Sequence, residues 1–206
     1  MRISIIGTGR MARQLALGWL KAGHTVQFGS RQPDAKTDIL TRVPGATVTS
    51  NEAALKAAEV VVIGLPFTAV KPFAEQQADL LRNKLVIDIS NPFANLLDNH
   101  ISGAEITAQA IGPGARVVAA FKANFWETLL EPVDPKTGMV RDVHYAGDSH
   151  DDKAIVAQLI KDLGFQPVDC GALRNARILD GMAPLIVELD RRYGNGERRL
   201  SWKLTG

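Results

Sequence analysis

The chain has 206 residues, 46% apolar and 22% charged, the make-up of an ordinary folded protein with one domain and an appendage, or at most two small domains. Its formal net charge of +2 gives no reason to expect nucleic acid or a membrane surface as partner, and a single cysteine, Cys170, excludes an internal disulfide or a cysteine-rich metal site. No apolar run approaches the ~18 residues of a membrane span, and the apolar start is too short for a signal peptide, so a cytoplasmic location is expected.

Apolar runs of strand length alternate along the chain with helix-like stretches, the pattern of parallel strands joined by helices. A first strand, Arg2–Ile6, leads into Gly7-Thr8-Gly9-Arg10-Met11-Ala12 and a helix with apolar Leu15, Leu17, Trp19 and Leu20 that stops near Gly23. Strands follow at Thr25–Gly29 and Ala46–Thr49, and Thr49-x-x-Glu52 reads as a capping box before a helix over Ala53–Ala58. Val60–Leu65 is the next strand; Pro66 and Pro72 flank or interrupt the start of a helix reaching about Leu81. After strand Leu85–Ile89, Ser102-x-x-Glu105 is a second capping box, before Ile106–Ala110, and Gly112-Pro113-Gly114 is a turn into strand Arg116–Phe121.

Beyond Phe121 the pattern changes, which places a domain boundary between residues 1–121 and 122–206, the latter a small α+β extension. Glu131–Gly138 reads as an exposed loop or hairpin tip. A strand at His144–Ala146, a helix over Asp151–Leu163 and a strand at Gln166–Asp169 follow, with Cys170 expected to be a buried structural thiol. The last helical stretch, Ala172–Tyr193, is expected to break near Gly181 and Pro184. Its apolar Leu179, Met182, Leu185, Ile186 and Leu189 make a candidate contact for a homodimer, and the polar tail after Gly194 is expected to be loosely ordered.

The segment from Gly7 to Ala12 matches G-x-G-x-x-G/A where a strand ends and a helix opens. Gly7 permits the tight turn, Gly9 lets the backbone approach a pyrophosphate, and Ala12 allows close helix–strand packing. The helix-start N–H groups, over Thr8, Arg10 and Met11, suit an anion. The expected fold is therefore a Rossmann-like, doubly wound, mostly parallel α/β sheet that binds a dinucleotide. Cofactor choice is set at the end of the second strand, where a binder of NAD usually places an acid for the ribose 2′-hydroxyl. Here stands Phe28-Gly29-Ser30-Arg31, with no acid at the strand end. Ser30 and Arg31, with Lys36 adding charge, suit a 2′-phosphate and select NADP.

Ligands on such a sheet lie over the carboxyl ends of the strands. The loops expected there hold Leu65, Pro66, Phe67 and Val70 after the fourth strand, Ser90, Asn91 and Pro92 after the fifth, and Phe121 and Asn124 after the sixth. No acid–base constellation stands out, and no catalytic residue is assigned. Lys122 is the one lysine in these loops, which keeps a protonating carbonyl or imine reduction open as an alternative. His144, Asp148, His150, Asp151 and Asp152 resemble metal ligands as a set, but Ser149 and its acidic neighbours suit a helix start better, and no metal is expected.

The chain resembles the family of coenzyme F420-dependent NADP oxidoreductases and is similar to the NADPH-binding domain of the STEAP ferric reductases. The likeness spans Met1 to about Tyr193. It is carried by Gly7-Thr8-Gly9, Gly29-Ser30-Arg31, Asp88-Ile89-Ser90-Asn91-Pro92, Val117–Phe121, Gly147-Asp148 and Leu163-Gly164-Phe165-Gln166-Pro167-Val168-Asp169. It implies an NADP site at Thr8–Met11, Ser30 and Arg31, with ring contacts near Phe67 and Asn91. It also implies a deazaflavin (F420) or flavin acceptor, a small-molecule redox carrier, stacked in the same cleft. Two departures stand out: the phosphate loop reads Gly-Thr-Gly where archaeal deazaflavin enzymes tend to carry Gly-Gly-Thr-Gly, and Ala120–Trp126 does not clearly match them. The alternatives are ferric reduction, imine or carbonyl reduction, and a non-catalytic NADPH sensor. No membrane heme domain is present in these residues, so a complete transmembrane reductase is not expected.

Overall fold

The computed structural model describes residues 1–93 and 100–205. Eight strands form one sheet: β1 Arg2–Ile6, β2 Thr25–Ser30, β3 Thr47–Ser50, β4 Val60–Ile63, β5 Leu85–Asp88, β6 Arg116–Ala120, β7 Asp142–Gly147 and β8 Gln166–Asp169. Their order is β3-β2-β1-β4-β5-β6-β7-β8. Every pairing is parallel except β6 with β7. Chain direction across the sheet reverses between β1 and β4, the switch point where a doubly wound sheet opens a crevice.

Among the described residues the helices are α1 Arg10–Lys21, α2 Thr37–Arg42, α3 Asn51–Ala57, α4 Phe67–Gln76, α5 Ala78–Leu81, α6 Gly103–Ile111, α7 His150–Asp162 and α8 Ala176–Tyr193. Alternate strand residues feed two cores. Ile3, Ile5, Phe28, Val60, Val62 and Ile87 pack under α1, α2 and α7 with Leu15, Trp19, Ile39 and Leu159. Ile6, Val61, Ile63, Val86 and Ala119 pack under the other helices with Leu55, Val70, Ala104 and Leu179. Covered on both faces, β4 has no polar position at all. The one hydroxyl in β1, Ser4, is buried and donates to the Ala54 carbonyl at 2.8 Å.

Four local expectations change. The cap before α3 is Ser50, whose hydroxyl accepts from Ala53 N, while Thr49 remains in β3; adjacent hydroxyl residues leave the register of a capping box open by one. The helix after Pro66 runs through Pro72 and stops at Gln77, before the separate turn α5. The final helix, preceded by a 3-10 turn at Leu173–Asn175, is continuous through Gly181 and Pro184, because Leu179, Ala183 and Ile186 are buried along it. The tail is tied down: Lys203 pairs with the buried Asp142 at 2.6 Å, and Arg141 donates to the Arg199 carbonyl. By contrast, Ser102 and Glu105 form the full reciprocal capping box at α6, and β7 and β8 extend the sheet beyond β6.

Candidate cofactor and substrate cleft

The strand order lines up, side by side, the loops that leave the carboxyl ends of β2, β1, β4, β5 and β6. Backbone bonds beyond the strands hold them in place: Gly7 N to Gly29 O at 3.4 Å, Gly64 N to Ile6 O at 2.9 Å and Ile89 N to Ile63 O at 3.4 Å. The sequence-predicted residues 7–11, 30–36, 65–67 and 90–92 therefore share one edge of the sheet.

Gly7 has φ +107°, and a Cβ there would stand 2.5 Å from the Gly64 carbonyl oxygen, so the turn from β1 accepts no side chain. Gly9 differs. Its φ of −69° is ordinary, yet an added Cβ meets no atom within 4 Å. The space above Gly9 is open while it caps α1, whose first turn has no side-chain cap and no acidic residue. Four uncapped backbone N–H groups beside an open space fit a pyrophosphate. Ala12 is buried and within 3.4 Å of a Cβ built on Gly64, the close helix–strand packing that a larger residue would prevent.

At the end of β2, Ser30 Oγ accepts from Gln32 N at 3.1 Å. Arg31 is exposed, and Lys36 ends a 3-10 turn, Pro33–Lys36, with Asp34 in its first turn. No acid side chain stands on the last residues of β2, and the residues present fit a 2′-phosphate rather than a free 2′-hydroxyl.

The remaining predicted residues divide by burial. Leu65, Phe67, Asn91 and Asn124 are half-buried at the loop edge. Val70 points into the core and Pro92 is buried. Phe121, at φ +58°, is fully buried edge-on to Trp19, with ring centroids 6.1 Å apart, so its side chain supports the cleft from beneath and is not a wall of it. Asn124 donates to the Asp142 carbonyl. Ser90 is buried, and its N–H and hydroxyl both donate to Asp88 at 2.8 and 2.7 Å.

Sequence reasoning missed what lies behind these loops. Lys122 is buried, with Nζ 2.5 Å from the Ser90 carbonyl, 2.8 Å from Asp180 and 3.6 Å from Asp88. Asp88 also accepts from Thr107 at 2.5 Å, and Asp180 accepts from Gly103 N at 2.8 Å. One ammonium thus serves two carboxylates and joins the ends of β5 and β6 to α6 and α8. Asn91 hangs on the same group, its Nδ2 donating to the Lys122 carbonyl at 2.8 Å while its buried Oδ1 has no partner. The signal was present in Asp88, a carboxylate inside the otherwise apolar run Leu85–Ile89.

Elsewhere, Ser149 caps α7 by accepting from Asp152 N, and Asp152 is buried against Arg116, so the acidic group beside His150 serves a helix start. Burial pushes the pKa of His144 down and that of the half-buried Cys170 thiol up. Among the described residues no three His, Cys, Asp or Glu side chains gather as a metal site, and no helix is long and apolar enough to cross a membrane.

The family described as NADP oxidoreductase, coenzyme F420-dependent, matches residues 2–92. An F420-dependent NADP reductase of Methanothermobacter thermautotrophicus is 30% identical over 93% of this chain and 90% of its own length. The rat metalloreductase STEAP3 is 31% identical over 88% of this chain, which spans only 36% of that larger protein. The crystal structure of a protein from Arthrobacter sp. FB24 has a TM-score of 0.88 over the whole of both chains at 24% identity, which establishes the shared fold.

Proposed function

The chain belongs to the family of coenzyme F420-dependent NADP oxidoreductases and is an NADP-dependent oxidoreductase; from that premise we propose that it exchanges a hydride between NADP(H) and a small-molecule redox carrier, a deazaflavin of the F420 type or a flavin. The observation that carries this reading is the pairing of a phosphate cradle with a cleft edge whose one described lysine, Lys122, is buried against carboxylates. NADPH, when bound, supplies the hydride.

The chain's own residues do the rest. The α1 N-terminus and open Gly9 hold the pyrophosphate, and Ser30, Arg31 and Lys36 select the 2′-phosphate. Leu65, Phe67 and Asn91 shape the space for two flat rings. The buried Asp88–Lys122–Asp180 group fixes the loop that carries Asn91. Lys122 is buried against the Ser90 carbonyl and two carboxylates, so it holds structure and does not face a substrate as a donor. Hydride exchange between stacked carriers needs proximity and alignment, and no side-chain acid.

The likeness to a metalloreductase favours ferric reduction through a flavin as a second reading. An acceptor screen decides between them: NADPH-loaded protein is mixed with a deazaflavin, a flavin with and without ferric chelate, and a set of cyclic imines and ketones, while nicotinamide absorbance is followed. Rapid stoichiometric reduction of the deazaflavin supports the first reading. Turnover only with flavin and ferric chelate supports the second, and turnover only with imines or ketones rejects both. We further propose that the protein works in the cytoplasm as a homodimer through α8, where Ile178 and Leu185 are 64% and 49% exposed.

A further inference from the structure

Asp88, Lys122 and Asp180 form a buried group whose formal charges do not cancel: two carboxylates face one ammonium, which leaves a surplus of one negative charge. The donors that complete the group are all neutral: the Ser90 N–H and hydroxyl, the Thr107 hydroxyl and the Gly103 N–H. Asp180 Oδ1 lies 2.8 Å from Lys122 Nζ, yet at an angle that makes no hydrogen bond. Among the described residues, the neighbouring charges on α6 and α8, Glu105 and Arg177, pair with each other and offset nothing.

The group stands behind the loops that carry Phe67 and Asn91. Lys122 Nζ donates to the Ser90 carbonyl at 2.5 Å, and the Lys122 carbonyl accepts from Asn91 Nδ2 at 2.8 Å. A Cβ built on Gly103 would meet both sides at once, the Phe67 ring at 3.1 Å and Lys122 Nζ at 3.6 Å, so the ring and the ammonium flank the same glycine. The buried Asn91 Oδ1 adds an acceptor that no donor satisfies.

A nicotinamide ring carries one positive charge when oxidised and none when reduced. The two forms differ by one hydride, a proton with two electrons, which leaves C4 of the reduced ring for the acceptor. A fixed negative charge in a buried setting, where water and salt screen little, attracts the oxidised form and is indifferent to the reduced one. We propose that the surplus charge of the Asp88–Lys122–Asp180 group stabilises the oxidised nicotinamide over the reduced one, and so makes bound NADPH a stronger hydride donor. This rests on the seating of the ring by Phe67 and Asn91 proposed above, and it holds whichever acceptor takes the hydride.

The test uses the whole chain and calorimetric titration with NADP⁺, NADPH and 2′-phospho-ADP-ribose, which lacks the nicotinamide. Asp180→Asn removes the surplus charge at nearly constant shape. It is expected to weaken NADP⁺ relative to NADPH by about fivefold or more, and to leave the ringless fragment unchanged. Asp88→Asn removes one charge from the other end of the group and should move the ratio the same way, which covers the case in which Asp180→Asn does not fold. A structural role alone would lower the melt and weaken NADP⁺ and NADPH alike. An unchanged ratio of the two affinities in a folded variant therefore overturns the proposal, as does a loss for the fragment equal to that for NADP⁺. Phe67→Ala tests the seating separately, and should weaken NADP⁺ and NADPH while sparing the fragment. If it changes neither, the seating falls and the proposal with it. If it weakens both while the charge variants leave the ratio fixed, the seating stands and the charge effect alone falls.

Discussion

At the end of β2, Ser30 closes the strand and Arg31 stands exposed beyond it, with no carboxylate where a ribose 2′-hydroxyl would be read. Arg31→Ser is expected to weaken NADPH binding roughly 10–100-fold, the worth of one charge-assisted contact at about 1.5–3 kcal/mol, and to leave NADH nearly unchanged. Fluorescence titration with both cofactors checks it, and equal losses would reject the role. Gly9→Val should abolish binding of both while the melt is kept, since the added Cβ enters space that no protein atom fills. Lys122→Met should act on the fold: it strands Asp88 and Asp180 in a buried site and is expected to cost about 3–5 kcal/mol in a urea titration. A variant of normal stability but a thousandfold slower would instead mark Lys122 as an acid. The turn at Gly7 and the acid-free end of β2 were legible because both follow from local sequence. The Lys122 cluster was not, because its partners lie 34 to 58 residues away along the chain, at Asp88 and Asp180.

The elements show the same division between local and distant causes. Ser102 and Glu105 could be paired from sequence because a capping box closes within four residues. The continuity of α8 could not. Pro184 removes the N–H that would bond the Asp180 carbonyl, and the helix survives because Leu179, Ala183 and Ile186 pack on the sheet, a tertiary gain that exceeds the propensity cost. Glu105 also links α6 to α8 through Arg177, with Nε 2.8 Å from Oε2. That bond to Arg177 lowers the Glu105 pKa, against the opposing effect of burial and with help from Ser102 N–H. A depressed carboxylate pKa means stability that is present above the unfolded value, about 4.3, and lost as pH falls through the folded one. Glu105→Gln should therefore lower stability by about 1–2 kcal/mol at pH 7, and the gap from the wild type should close as urea titrations move below pH 4. A gap that stays constant with pH would show that the ion pair with Arg177 contributes nothing.

For the whole molecule, hydrophobic period gave eight strands near their observed places, yet period says nothing about which strand lies beside which. That β7 runs antiparallel to β6, and that β8 closes the edge beyond it, depends on pairings such as Ala119 with Ala146 and His144 with Val168, which no local signal encodes. The consequence falls on α8. Packed over this part of the sheet, it buries Leu179 and Ile186 and leaves Ile178 and Leu185, seven residues and two turns apart on one face, 64% and 49% exposed. Met182 lies between them, half-buried, and Leu189 continues the row. In the homodimer proposed above, this apolar row would meet the same row on a second copy across a two-fold axis. Light scattering at micromolar concentration should give twice the chain mass. Leu185→Glu places a charge at the centre of the row, and it should yield a monomer whose NADPH affinity is unchanged, since α8 is remote in the sheet order from the phosphate loop. A wild-type protein that stays a strict monomer would sink the dimer, and a Leu185→Glu dimer of normal stability would move the interface to another surface.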